Sequence, residues 1–182
     1  MATDVIAEQL GVSSQALLKR FESKRDLMLA ALRPPAVPPW TVLLQDGPDA
    51  RSLNEQLTEI ALELVDYFAD ITRRLSLIRW SNIPIEDLVQ QYPEPPPLVG
   101  IRALSEWLQR AHVVGLIRKT DFRVAALSFL GSLHCPAFLE DLLHQHPTGH
   151  AREEYVAEVV QLFVRGLEPA ERPQVTRIAE IE

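Results

Sequence analysis

The chain is 182 residues long, 47% hydrophobic and 24% charged, with a formal charge of -7, 14 prolines, seven glycines and one cysteine. That length supports a core of one large domain or two small ones without disulfides, since roughly 70% of the unfolded chain's surface becomes buried. One cysteine excludes an intrachain disulfide framework and any cysteine-cluster metal site. No run reaches the ~18 uninterrupted apolar residues of a membrane span, and the opening M-A-T-D-V-I-A-E-Q lacks the basic-then-apolar layout of a secretory signal, so a cytoplasmic protein is expected.

A net negative charge spread evenly would argue against a nucleic-acid partner. It is not spread evenly. Residues 1–33 carry five basic side chains against four acidic ones, or +1, and the remainder carries thirteen against twenty-one, or -8. Four of the five basic residues, Lys19, Arg20, Lys24 and Arg25, fall within seven positions. The first segment therefore has a different character from the rest.

Three short helices are predicted in that segment. Thr3 caps the first, with Ile6, Ala7 and Leu10 on one face, and Gly11-Val12 supplies a sharp turn. Ser13 caps the second, which turns Leu17 and Phe21 inward and leaves Ser14, Gln15, Lys19 and Arg20 outside. Ser23 with Asp26 caps the third, carrying Leu27, Met28 and Ala31. The run R-P-P-A-V-P-P-W and the polar turn from Gln45 to Arg51 then interrupt the chain.

Ser52 and Glu55 have the spacing of a capping box and open the clearest helix, with apolar residues from Leu53 through Leu57, Ile60, Leu64, Phe68 and Ile71 to Ile78, closed by Pro84. A short helix is expected near 85–91, then Y-P-E-P-P-P breaks the chain. Leu98 to His112 reads as helical, with Ile101, Leu104, Leu108 and Ala111 on one side, Trp107 beside them and Gly115 near the end. Asp121 caps the next helix, which Pro136 is expected to kink. The last starts near Glu153 and presents Val156, Val159, Val160 and Phe163, with a flank at Tyr155 and Leu162 wider than one core-facing seam requires. No segment alternates with period two, so the fold is expected to be all-α: a small unit at 1–33, a proline-rich linker at 34–51, a helical domain at 52–168 and a tail at 169–182.

A helix, a glycine turn and a second helix with polar and basic residues outward is the helix-turn-helix layout, whose second helix enters the major groove. Short hydroxyl and amide side chains at its start suit base edges, and Lys19, Arg20 and Lys24 suit phosphates. Two amphipathic helices with solvated charges would give the same generic pattern. The particular residues are more telling: Thr3, Ile6, Ala7, Gly11, Val12, Ser13, Leu17, Phe21, Lys24 and Leu27 lie in register with one known pattern, and the segment resembles the DNA-binding domain of the TetR family of bacterial transcriptional regulators. The resemblance implies a recognition helix from Ser13 to Arg20 and a DNA-facing set of Thr3, Ser13, Ser14, Gln15, Ala16, Leu18, Lys19, Arg20 and Lys24. Leu18 stands where the family usually has a phosphate-contacting Tyr. The family's domain also begins with a further helix, whereas only Met1 and Ala2 precede Thr3, so by this pattern the unit is incomplete at its N-terminus.

The resemblance also implies a helical C-terminal domain that binds a small ligand and dimerises through its last two long helices. Leu127, Leu130, Tyr155, Val156, Val159, Val160 and Phe163 are the expected interface, and two recognition helices need such a dimer to reach successive major grooves about 34 Å apart. Tyr67, Phe68, Trp80, Trp107, Phe129, His134 and Phe138 are the candidate ligand residues, each also readable as plain core packing. Their composition suggests an apolar or aromatic effector. His144, His146 and His150 match no zinc spacing and read as surface or loop residues, Cys135 reads as an inert buried thiol, and neither a metal nor a cofactor is expected. No nucleophilic triad, paired carboxylates or phosphate loop suggests an enzyme. The expected function is a repressor that binds a palindromic operator as a homodimer and is released by a small effector; the alternative is a helical ligand-binding protein without DNA activity.

Overall fold

The sequence's capping signals set where several helices begin. The computed structural model describes residues 13–21, 23–81 and 83–169, so Thr3 and the first predicted helix lie outside the described residues. Within them stand seven α-helices and one 3-10 helix, with no strand, and the all-α expectation holds. The helices are α1 (Ser14–Arg20), α2 (Lys24–Leu32), the 3-10 helix (Pro39–Leu44), α3 (Leu53–Trp80), α4 (Ile85–Val89), α5 (Pro96–Val113), α6 (Phe122–Leu143) and α7 (Arg152–Leu167).

The caps use the first-turn N–H groups that no helical carbonyl can reach. Ser13 Oγ accepts from the Ala16 N–H at 3.1 Å, and Ser23 Oγ from the Asp26 N–H at 3.1 Å. At α3 the box is reciprocal: the Glu55 N–H donates to Ser52 Oγ at 3.2 Å and the Ser52 N–H to Glu55 Oε2 at 2.9 Å. Asp121 Oδ1 takes two N–H groups, those of Arg123 and Val124. The α5 helix starts two residues earlier than its apolar rhythm predicts. Pro96 and Pro97 occupy its first turn, where a missing N–H costs nothing. Pro136 lies inside α6, which continues past it as one helix to Leu143.

Helix α3 packs against α6, α7, α2 and the 3-10 helix, and α5 against α6 and the 3-10 helix. Between them lies one core, which includes Leu57, Leu64, Leu104, Trp107, Leu108, Phe129, Leu133, Val156 and Val160. The proline-rich stretch is no loose connector: it contributes Trp40 and Leu44 to that core. A smaller cluster of Leu29, Ile78, Ile83, Leu88 and Tyr92 seats α2 against the end of α3 and the segment around α4. The face that α2 buries is Leu27 and Leu29, whereas Met28 is half-buried and Ala31 exposed, contrary to the predicted stripe. In a nine-residue helix a shift of one position in the stripe is enough to exchange them.

By length and mean hydropathy of 1.4, α6 alone among the described residues would qualify as a membrane span. Its Ala126, Phe129, Leu130 and Leu133 are instead buried against neighbouring helices. Other apolar residues of this helix are exposed, among them Val124, Leu127, Phe138 and Leu142.

Candidate nucleic-acid interface and ligand cavity

The first site is the outer surface of α1. Ser13, Gln15, Ala16 and Lys19 line one open concave surface there, and Lys19 and Arg20 are exposed in the last turn. Lys24 opens α2 and is exposed, next to the exposed Arg25. Of the expected base-facing and phosphate-facing residues, Ser13, Gln15, Ala16 and Lys19 share that surface, and Arg20 and Lys24 are exposed. The side chains of Ser14 and Leu18, like Thr3, lie outside the described ones. Phe21 is half-buried, with the Arg20 guanidinium 6.0 Å from its ring centre.

Polar contacts tie this unit to the larger body. Arg25 pairs with Asp87. Arg33 donates to the Gln91 carbonyl at 3.0 Å and lays its guanidinium 4.6 Å from the centre of the Tyr92 ring, a cation–π contact. The Tyr92 hydroxyl in turn donates to the Pro34 carbonyl at 2.6 Å. Leu75 packs on the same cluster as Tyr92 and also lines the second site.

That second site is a cavity of about 220 Å³. Its walls come from the stretch around the 3-10 helix (Pro38, Trp40), from α3 (Tyr67, Phe68, Ile71, Leu75), from α5 (Pro96, Pro97, Gly100, Ile101) and from α6 (Leu127, Leu130, Gly131, His134). None of these residues carries a formal charge. Phe68 sits between Tyr67, with ring centres 5.6 Å apart, and His134, at 4.7 Å. Burial pushes the Tyr67 phenol up to about 12 and lowers the pKa of His134, so both are neutral near pH 7.

Tyr67, Phe68 and His134 are therefore brought together, as the candidate set requires. The other four candidates are not in the wall. Trp107 and Phe129 are fully buried in the core, Trp80 is 87% exposed at the end of α3, and Phe138 is exposed on α6. Spacing identifies which residues share a helix face; it does not say whether a void or another side chain lies opposite. Trp40, Ile71, Leu75 and Ile101 were missed as cavity residues. The one available signal was a large aromatic ending a proline run, where nothing in a solvated linker would require it.

The expected interface needs correction too. Leu130, Val156 and Val160 are buried inside the protomer, with Val160 at 0% exposure, so they cannot meet a second chain. Tyr155, Val159 and Phe163 are half-buried, and Phe163 stacks on Phe129 at 4.7 Å. The open apolar surface runs instead along α6: Val124, Leu127, Gly131, Cys135, Phe138 and Leu142 recur at spacings of three and four and are all exposed, with Leu162 exposed on α7. Cys135, expected to be buried, belongs to this face. His146 and His150 line a separate hollow of about 300 Å³ with Arg152, which is paired to Asp66 at 2.7 Å.

Among the described residues, an all-helical chain with a capped, basic-ended helix on its surface and an apolar cavity in its helical body fits a transcriptional regulator. Residues 55–166 match the family described as AefR-like transcriptional repressor, C-terminal domain. The chain belongs to the TetR family of transcriptional regulators. No curated protein matches its sequence. Among solved structures it is similar to a TetR-family transcriptional regulator of Mesorhizobium loti, 18% identical over 93% of this chain and 87% of that one, with a TM-score of 0.71. It is similar to PfmR of Thermus thermophilus, also a TetR-family regulator, at 18% identity, 93% and 90% coverage and a TM-score of 0.59. The flavonoid-responsive regulator FrrA follows at 21% identity, 93% and 88% coverage and a TM-score of 0.56. At these identities the likeness is one of fold.

Proposed function

We propose that this chain is a ligand-responsive transcriptional repressor: a homodimer that binds palindromic operator DNA through α1 and leaves it when a small apolar or aromatic effector enters the cavity. The carrying observation is the contact path between the two sites. The cavity wall at Leu75 adjoins the Tyr92 cluster, Leu29 and Arg33 connect that cluster to α2, and Arg25 ties α2 to Asp87 beside it. An effector that favours one placement of these residues over another shifts the spacing of two recognition helices in a dimer, which is the differential affinity such regulation requires. The exposed stripe of α6 supports pairing of two copies, because a monomer seldom leaves so continuous an apolar face in water. FrrA, of the same fold, responds to a flavonoid by its name, which suits an aromatic effector here.

A mobility shift with the DNA upstream of the chain's own gene tests the reading. Binding should weaken steeply with salt, as phosphate contacts require. Binding indifferent to salt removes the repressor; a chain that takes up aromatic molecules yet shifts no DNA is the helical ligand-binding protein instead.

A further inference from the structure

Three residues of the cavity wall are exposed: Pro97 on α5, and Leu127 and Gly131 on α6. They mark the rim where the cavity reaches the surface. Leu127 is 56% exposed, and a Cβ added at Gly131 would meet nothing within 4 Å, so this side of the rim is open. Leu127 and Gly131 also belong to the apolar stripe of α6. Whatever covers the stripe therefore roofs the cavity.

The stripe and its edge are fitted to a second copy of themselves. Its sizes read alike from either end: the large Val124 and Leu127, the small Gly131 and Cys135, then the large Phe138 and Leu142, with the midpoint at the level of Leu133. Arg123 and Asp141 are exposed near the two ends of the helix. Eighteen residues make about five turns, so the two share one side of α6 at a separation of about 27 Å. Antiparallel pairing of two α6 helices sets each arginine against the partner's aspartate, whereas parallel pairing sets like charge on like. The midpoint of this charged pair, at Ser132, agrees with that of the stripe. About such an axis Leu127 faces Phe138 of the partner subunit. In its own chain Phe138 lies outside the wall, about 10 Å past Gly131 along the helix.

We infer that a second copy of this chain closes the cavity: the two α6 helices pair antiparallel about a two-fold axis near Leu133, and Phe138 of the partner subunit roofs the mouth at Leu127 and Gly131. The effector site is then complete only in the dimer. This rests on reading the cavity as the effector site and the stripe as the pairing face. A ligand that binds the dimer more tightly than the monomer tightens the dimer by the same factor at each site.

Naphthalene, neutral and apolar, is the probe, measured by equilibrium dialysis on the full chain with the mass followed by sedimentation. Wild-type dimers should take up one molecule per chain. Phe138→Glu and Leu142→Glu leave the wall of their own cavity untouched, yet as monomers they should bind at least tenfold more weakly. Saturating naphthalene should tighten the Leu142→Glu dimer about a hundredfold, the product of tenfold at each of two sites. Arg123→Asp should loosen the dimer, and Arg123→Asp combined with Asp141→Arg should restore it to within about threefold. The wild type diluted through its own dissociation should show the same fall in affinity, which needs no variant.

Equal affinity in monomer and dimer overturns the inference and leaves a self-contained effector cavity. Uptake of one molecule per dimer overturns it as well, because the probe then sits on the axis. Charge reversal that the second substitution does not repair overturns the antiparallel seating. Dimers that persist in Phe138→Glu and Leu142→Glu remove the pairing face, and no uptake by the wild type removes the effector site itself.

Discussion

Phe68 on α3 and His134 on α6 hold their rings 4.7 Å apart, inclined at 34°, in the wall of the cavity. Burial lowers the pKa of His134 from its ordinary value, so the folded chain holds this imidazole neutral and binds fewer protons there than the unfolded chain. Stability from this source is complete above the unfolded pKa of about 6.5 and falls as pH drops through that value toward the folded one. His134→Gln, which cannot titrate, should lose less Tm than the wild type between about pH 7.5 and about pH 5.5. Equal losses in the two proteins would show that His134 does not carry the effect.

Gly100→Ala places a methyl group 2.9 Å from the Trp40 ring, closer than real contacts allow. Overpacking of this kind costs about 1–3 kcal/mol, readable by urea denaturation. Combined with Trp40→Phe, whose smaller ring yields space, the added cost of the alanine should shrink. A cost that is strictly additive would mean the two residues do not meet.

Two valine positions and one phenylalanine separate interface from core. Phe138→Glu puts a charge on the open stripe of α6 and should give monomers by size exclusion with light scattering, with the helical content intact. Val156→Ala and Val160→Ala remove contacts inside the protomer and should cost about 1–3 kcal/mol of stability. If the valines rather than Phe138 govern the oligomeric state, the assigned face is wrong.

On the proposed reading, in which Lys24 meets a phosphate and Gln15 a base edge, the two should respond differently to substitution. Lys24→Ala removes one phosphate partner, so binding should weaken about equally on all sequences and the salt slope should fall by about 1. Gln15→Ala removes a base-edge partner, so it should cost about 1–3 kcal/mol on the preferred site and relax selection at one base pair. Competition binding at several salt concentrations distinguishes the two patterns.

Local chemistry was readable before the fold. The caps at Ser13, Ser23, Ser52 and Asp121 depend on neighbours within three residues, and each makes its bonds where its spacing says. What covers a stripe is not local. Val156 and Phe138 both lie on apolar stripes, yet one faces Phe129's core and the other open surface, because the answer depends on helices far away in sequence. Trp40 was hidden for a related reason: proline reports correctly that a helix is interrupted but says nothing about whether the interrupted stretch is buried. The residues that carried the family reading lie within one stretch from Thr3 to Leu27, whereas the cavity is assembled from four separate parts of the chain.

Between Arg33, which clasps Tyr92, and Trp40, which walls the cavity, lie six residues, four of them proline. Prolines fix their own φ and restrict the residue before them, so this piece of chain has few ways to shorten or bow. On the proposed reading it would act as a strut, passing a displacement of the indole to the end of α2, where a glycine-rich strand of the same length would absorb it as slack.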